Sequence, residues 1–176
     1  SGTAIRPGDI LHMRNGKTIE VINTDAEGRL IMADALAFAS ESKPDIICDV
    51  ATLTGAAYVA LGVEIGAVFS NNKVTLDSFL NSNNDGFENY HSLPLEQSYK
   101  SQIKSSIADM KNSGGRFGGA ITAALLLEEF VDDLDWVHLD IAGPARSRSN
   151  NSIYPEGGTG FGVLGYFNFL TNEASS

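Results

Sequence analysis

The chain is poor in the features that mark several protein classes. Among its 176 residues there is a single cysteine, Cys48, so no intrachain disulfide can form and a secreted, disulfide-stapled scaffold is excluded. Cys48 lies in the apolar run Ile46-Ile47-Cys48-Asp49-Val50, where a buried, inert thiol is expected. Basic residues are scarce: 12 Lys and Arg stand against 22 Asp and Glu, a net charge of −10. Such a surface repels phosphate backbones, which argues against nucleic-acid partners. Long hydrophobic runs are missing as well. Residues 55–63 and 120–127 fall short of the ~20 apolar residues a membrane helix needs. With no signal peptide at the start, a cytoplasmic protein without a membrane partner is expected. The three histidines, His12, His91 and His138, are scattered, and no His-Glu-x-x-His exists. Any metal would have to be held by carboxylates. Gly114-Gly115-Arg116-Phe117-Gly118-Gly119 lacks the lysine of a P-loop, and Gly158-Thr159-Gly160-Phe161-Gly162 lacks the dinucleotide spacing.

Hydrophobic residues make up 43% of the chain, enough for a sizeable core in one domain. Residues 18–23 (TIEVIN) are β-rich and residues 30–39 (LIMADALAFA) read as a buried helix. Residues 45–53 (DIICDVATL) form the near-continuous apolar run of a strand covered on both faces. Strand, helix and strand in that order predict a βαβ unit. Further along, helices are expected near 56–61, 74–80, 120–131 and 161–170, strands at 66–70 and 136–141, and loops at 112–119 and 146–160. Residues 95–105 are amphipathic. The alternation predicts an α/β fold, with a central, largely parallel sheet flanked by helices in a single domain. The chain opens Ser1-Gly2-Thr3-Ala4 without a methionine, which reads as the interior of a longer polypeptide.

The strongest chemical feature is Asn23-Thr24-Asp25-Ala26-Glu27-Gly28-Arg29-Leu30, where the first strand ends and the helix begins. Ligands of open α/β sheets bind outside the carboxyl ends of strands. Asp25 and Glu27 are two apart, so an extended turn can turn both carboxylates to one side, and two anions held together call for a cation between them. Arg29 adds a cation at a helix N-terminus that already favours anions. The simpler alternative is a capped helix: Asp25 as N-cap, Glu27 complementing the dipole, Arg29 pairing with one of them on the surface. Asp49 and Asp140 sit inside apolar strands, where an unpaired charge is costly, and a structural hydrogen-bonding role suits Asp140 better than catalysis. His138 reads as a core or crevice histidine and Trp136 as core or interface. The loop at 114–119 could bind an anion through its amides or serve packing alone.

The octapeptide is similar to the signature of the cytosolic leucine aminopeptidases, a family of two-metal exopeptidases. The resemblance continues through Ser1-Gly2-Thr3-Ala4, Arg6-Pro7-Gly8-Asp9, residues 49–56 (DVATLTGA), 118–124 (GGAITAA), 127–130 (LEEF), 138–145 (HLDIAGPA) and 158–163 (GTGFGV). It implies that Asp25 binds one metal through carboxylate and carbonyl, and that Glu27 bridges two, the ions being Zn²⁺, Mn²⁺ or Mg²⁺. Arg29 would hold a bicarbonate acting as general base, aided by the amides of Gly28, Arg29 and Leu53. Main-chain groups of Thr52, Leu53 and Gly55 would align a peptide substrate. Thr52, Gly55, Ala142 and Ala145 would line the pocket for its N-terminal side chain.

The family also uses a lysine and two aspartates as metal ligands, and a catalytic lysine, upstream of the signature. No such motif occurs before Asp25 here. Residues 1–176 are therefore expected to be the C-terminal catalytic region of a leucine-type aminopeptidase, part of a larger catalytic domain, without the N-terminal domain and part of the metal site. The fragment alone is expected to be inactive. The family's hexameric assembly leaves a second possibility, a non-catalytic oligomerisation or interaction scaffold on the same fold. Some relatives bind DNA, against which the acidic balance speaks.

Overall fold

A computed structural model describes residues 2–84, 86–150 and 154–175. Ser1 and residues 151–153 of the expected 146–160 loop lie outside the described residues. The elements are β1 (Ile10–His12), β2 (Thr18–Glu20), a 3-10 turn (Thr24–Ala26), α1 (Gly28–Ser40), β3 (Ile46–Ala51), α2 (Gly55–Leu61), β4 (Ile65–Ser70) and α3 (Lys73–Ser82). They continue with β5 (Asn89–Ser92), a second 3-10 segment (Gln97–Ile103), β6 (Met110–Lys111), α4 (Gly119–Glu128), β7 (Asp135–Asp140), β8 (Arg146–Ser147), β9 (Gly157–Gly158) and α5 (Val163–Glu173). The α/β class holds. No helix among the described residues is long and apolar enough to cross a membrane.

The chain divides into two compact units, one of Ser1–Ile47 with Leu95–Leu134 and one of Cys48–Pro94 with Asp135–Ser176. In the first, β2 is the centre of a three-stranded sheet, antiparallel to β1 and parallel to β6. Ile19 and Met110, paired across β2 and β6, are buried. α1 and α4 pack together, and α4 also meets the Gln97–Ile103 segment. α4 is apolar all round, and Ala123 through Leu127 are fully buried. Its C-terminal turn is tied down by Lys17, which donates to the Glu129 carbonyl at 3.0 Å and to its carboxylate at 2.5 Å, a cation at the negative end of the helix.

α1 departs from the sequence expectation of burial on most faces. Leu30, Ala33, Leu36 and Ala37 face the core at helical spacing, but Ile31 is 70% exposed and Phe38 63%. The Arg14 guanidinium lies over the Phe38 ring at 4.7 Å and pairs with Glu41. The expected βαβ unit does not form either, because β2 and β3 belong to different sheets. β2 joins the neighbouring β1 and the distant β6, and β3 joins the distant β7, pairings that local patterning does not reach.

In the second unit the strand order is β3-β7-β4-β5. β4 runs parallel to β5 and antiparallel to β7, so the sheet contains both parallel and antiparallel pairs. β3 is only half-covered, with Val50 45% exposed. The core is aromatic: Phe69, Phe79, Trp136 and Phe169 are fully buried. Phe79 makes edge contacts with Tyr90, Tyr166 and Phe169 at 5.0–5.8 Å. Asp49 is paired as burial demands, accepting from Trp136 Nε1 at 2.6 Å and facing His138 Nδ1 at 2.5 Å. His138 is fully buried between the Trp136 and Phe69 rings. Cys48 is half-buried rather than buried as expected, and burial, followed by the charge of Asp49, pushes its thiol up to about 12.

α5 is capped by a residue the sequence gave no reason to single out. Gly162, at φ +95°, has no side chain to offer as N-cap. The buried Glu88 carboxylate accepts from the amides of Gly162 at 2.9 Å and Gly165 at 2.7 Å, and from the Tyr90 hydroxyl at 2.6 Å. An anion at the positive end of a helix is electrostatically favoured. Glu88→Ala strands three donors and should cost about 2–4 kcal/mol, lowering the melting temperature by about 5–15 °C. Glu88→Gln, which keeps one acceptor oxygen, should lose less than half of that. An unchanged melting temperature for the alanine variant would dismiss the cap.

Candidate active site

The octapeptide turn is built by two asparagines. Asn23 caps the 3-10 turn, its side-chain oxygen accepting from the Asp25 amide at 3.0 Å. Asn112, fully buried at the start of the glycine-rich loop, stitches the turn from the other side. Its Oδ1 accepts from the amides of Ile22 at 2.9 Å and Asn23 at 3.2 Å. Its Nδ2 donates to the carbonyls of Asn23 at 2.6 Å and Ala26 at 3.4 Å. A single carboxamide thus satisfies four main-chain groups that have no ladder to join.

That scaffold bears on the capping alternative for the turn. Asp25 is not the cap, because Asn23 is. Glu27 occupies the N-cap position of α1 yet makes no side-chain capping bond. Both carboxylates are exposed, and among the described residues neither forms a hydrogen bond or ion pair. Arg29 is not a surface partner: it is 8% exposed, and its Nη1 donates to the Asn112 carbonyl at 3.1 Å. The amides of Leu30 and Ile31 close on the Glu27 carbonyl, so Gly28 and Arg29 supply the first-turn amides at the positive end of α1. The unit brings Asp25, Glu27, Gly28 and Arg29 together on one turn.

The second unit gathers the other expected residues around Asp140, which is 1% exposed. Asp140 Oδ1 accepts from the amides of Leu53 at 3.1 Å, Thr54 at 3.3 Å and Ala142 at 3.2 Å, and Oδ2 accepts from the Thr54 hydroxyl at 2.6 Å. The Thr54 hydroxyl in turn caps α2 by accepting from the Ala57 amide at 3.0 Å. The Ile141 amide reaches the Ala51 carbonyl at 2.8 Å, so the turns after β3 and β7 lie side by side. Thr52 and Gly55 are exposed, while Ala142 and Ala145 are half-buried. Gly143 is a close-approach glycine: a Cβ there would stand 2.0 Å from the Gly62 carbonyl oxygen. Because the Leu53 amide is donated to Asp140, the bicarbonate-holding role that the resemblance gives that N–H meets competition from a buried carboxylate. The loop before α4 makes a tight turn against Tyr99. Gly118 sits at φ +66°, and its missing side chain makes room for the Tyr99 ring.

As a metal site the donor set is partial. Asp25 and Glu27 are hard oxygen donors with no other side-chain bond among the described residues, which suits a divalent cation. Among the described residues, however, no group of three or more His, Cys, Asp or Glu could hold a metal ion.

Comparison with known proteins identifies the class. The model for the catalytic domain of a peptidase family, M17, matches residues 1–165. The chain belongs to that family, the cytosol aminopeptidases. It is 49% identical over 174 residues to a "Probable cytosol aminopeptidase" of Prochlorococcus marinus subsp. pastoris, covering 98% of this chain and 35% of that protein. It is 53% identical over 163 residues to one from Picosynechococcus sp., covering 93% of this chain and 33% of that protein. A mutant of tomato leucine aminopeptidase superposes with a TM-score of 0.91 at 43% identity, covering 98% of this chain and 33% of that one. The bottromycin maturation enzyme BotP, in complex with Mn, superposes with 0.93 at 38% identity, covering 98% and 39%. The chain thus spans about a third of the length of these relatives.

The bonding around the turn separates what holds it from what it displays. Asn112→Ala should destabilise the chain by about 1–3 kcal/mol, since it empties a fully buried site and removes four hydrogen bonds to the turn's main chain. Asp25→Asn and Glu27→Gln should stay within about 0.5 kcal/mol of wild type. Thermal unfolding without metal checks both. A loss of about 1 kcal/mol on replacing Asp25 would restore the capping alternative.

Proposed function

We propose that these residues are the C-terminal catalytic region of a two-metal aminopeptidase that removes N-terminal amino acids from peptides. The observation that carries this reading is the pair of exposed carboxylates, without a hydrogen bond or ion pair among the described residues, on an asparagine-braced turn whose sequence resembles the family octapeptide. Asp25 and Glu27 would hold the divalent ions, Zn²⁺, Mn²⁺ or Mg²⁺, with further ligands from outside this stretch. The manganese of BotP supports a metal of this kind. When bound, such ions polarise a scissile carbonyl and supply an activated water.

The chain's own residues do the rest. The buried Arg29 guanidinium, anchored through Nη1, is a fixed positive charge two residues on from Glu27, where it would stabilise developing oxyanion charge or hold a bicarbonate as general base. The amides of Gly28 and Arg29 add the positive end of α1 to the same anion site. Thr52, Leu53 and Gly55 offer main-chain groups that align the substrate. Gly55, above whose Cα there is open space, and the small Ala142 and Ala145 leave room for an apolar side chain. One observation favours the scaffold alternative for these 176 residues by themselves: no group of three metal-ligating side chains exists among the described residues. Assembly into a hexamer and a cytoplasmic setting belong to the same proposal.

Three outcomes are expected. The isolated chain should not hydrolyse a leucine anilide with Mn²⁺ or Zn²⁺ and bicarbonate, because two carboxylates fill few of the ~6 positions around each ion. Robust turnover would overturn the partial-site argument. In the intact protein, meaning the natural chain that carries these residues, Arg29→Ala should lower kcat about 10²–10³-fold, and unchanged kcat would remove the role. Selectivity among N-terminal residues should be broad and apolar, since a methylene's fit is worth only about 1–3 kcal/mol. A kcat/KM profile led by N-terminal Asp or Glu would contradict the pocket assignment.

A further inference from the structure

Asp140 is the most heavily bonded buried carboxylate of its unit, and it touches none of the groups that would react. What it touches is the main chain of the two turns assigned above to substrate alignment. Its four accepted bonds come from Leu53, Thr54 and Ala142. These donors alternate with the residues of interest: Thr52 and Gly55 flank the bonded pair on one turn, and Ala142 itself lies on the other. The same carboxylate reaches the first turn of α2 through the Thr54 hydroxyl. Four charge-assisted bonds on one side chain at 1% exposure fix these turns relative to each other.

We propose that Asp140 is a positioning residue for substrate binding. It locks the Thr52–Gly55 main chain in the register that pairs with the substrate's own backbone, and sets the pocket wall at Ala142 against it. The inference rests on the aminopeptidase reading and adds to it the residue that makes the alignment rigid. Main-chain recognition tolerates little play, because its donors and acceptors must be held within about 0.5 Å of the binding geometry. Contacts to the unreacting substrate backbone are equally strong in the ground and transition states, so their loss falls on KM rather than kcat. A carboxamide at 140 can still accept the three amides through its oxygen while its nitrogen donates to the Thr54 hydroxyl, so asparagine keeps most of the geometry.

The test uses the intact protein loaded with Mn²⁺ and steady-state kinetics on a leucine anilide. Asp140→Ala should raise KM about tenfold or more with kcat within about threefold, and Asp140→Asn should recover most of the loss. KM does not depend on the folded fraction, so a merely structural Asp140 would lower the melting temperature and the yield of active protein but leave KM alone. An unchanged KM in a folded Asp140→Ala protein overturns the proposal. If that variant does not fold, Thr54→Val, which removes only the hydroxyl bonds, decides: a KM raised severalfold supports the proposal, and a wild-type KM in the folded variant overturns it. Absence of turnover in the wild-type protein would instead remove the aminopeptidase reading, and this inference with it.

Discussion

A turn that carries chemistry has amides and carbonyls with no helix or sheet to satisfy them, and burying them unpaired is costly. Here one buried side chain in each unit meets that requirement. Asn112 uses both ends of its carboxamide on the turn that bears Asp25 and Glu27. Asp140 uses both carboxylate oxygens on the turns that bear Thr52, Leu53 and Ala142. The choice of residue type follows from what must be bonded. Asn112 faces donors and acceptors and so needs an amide, whereas Asp140 faces donors alone and so is a carboxylate.

This bracing frees the displayed groups from structural duty. Asp25 and Glu27 project from a turn already held by Asn23 and Asn112, so neither needs to cap or pair, and both remain exposed. Two carboxylates two residues apart, without partners among the described residues, add to the repulsion in a chain that carries a net charge of −10. That cost is relieved when a cation binds. Arg29 sits on the opposite side of this balance: buried, it is held in place by a main-chain carbonyl. Under the proposed function, this combination of a fixed cation and exposed carboxylates on one turn is what metal-assisted amide hydrolysis would draw on.

The sequence made the long elements legible because their periodicity is strong. α1, α3, α4, α5, β4 and β7 fall close to where composition and turn residues put them. β1, β5 and β6 are four residues or fewer and carry no pattern of their own. Strand pairing was out of reach for another reason: β2 joins β6 rather than β3, a contact fixed by packing between distant segments. The octapeptide stood out because several charged and small residues coincide at a helix start. Asn112 and Glu88 did not, since a single Asn or Glu in a polar stretch is what any exposed loop contains. Their burial is a tertiary fact. Asp140 was readable as a structural acceptor from its apolar strand, but its hold on the Leu53 amide was not.

The central claim is that Asp25 and Glu27 are displayed for metal. Calorimetric titration of the intact, metal-stripped protein with Mn²⁺ tests it, run beside Glu27→Gln. Two ions per wild-type chain are expected, with at least one lost or greatly weakened in the variant while its melting temperature without metal is unchanged. Equal stoichiometry and affinity in the two proteins would contradict the account.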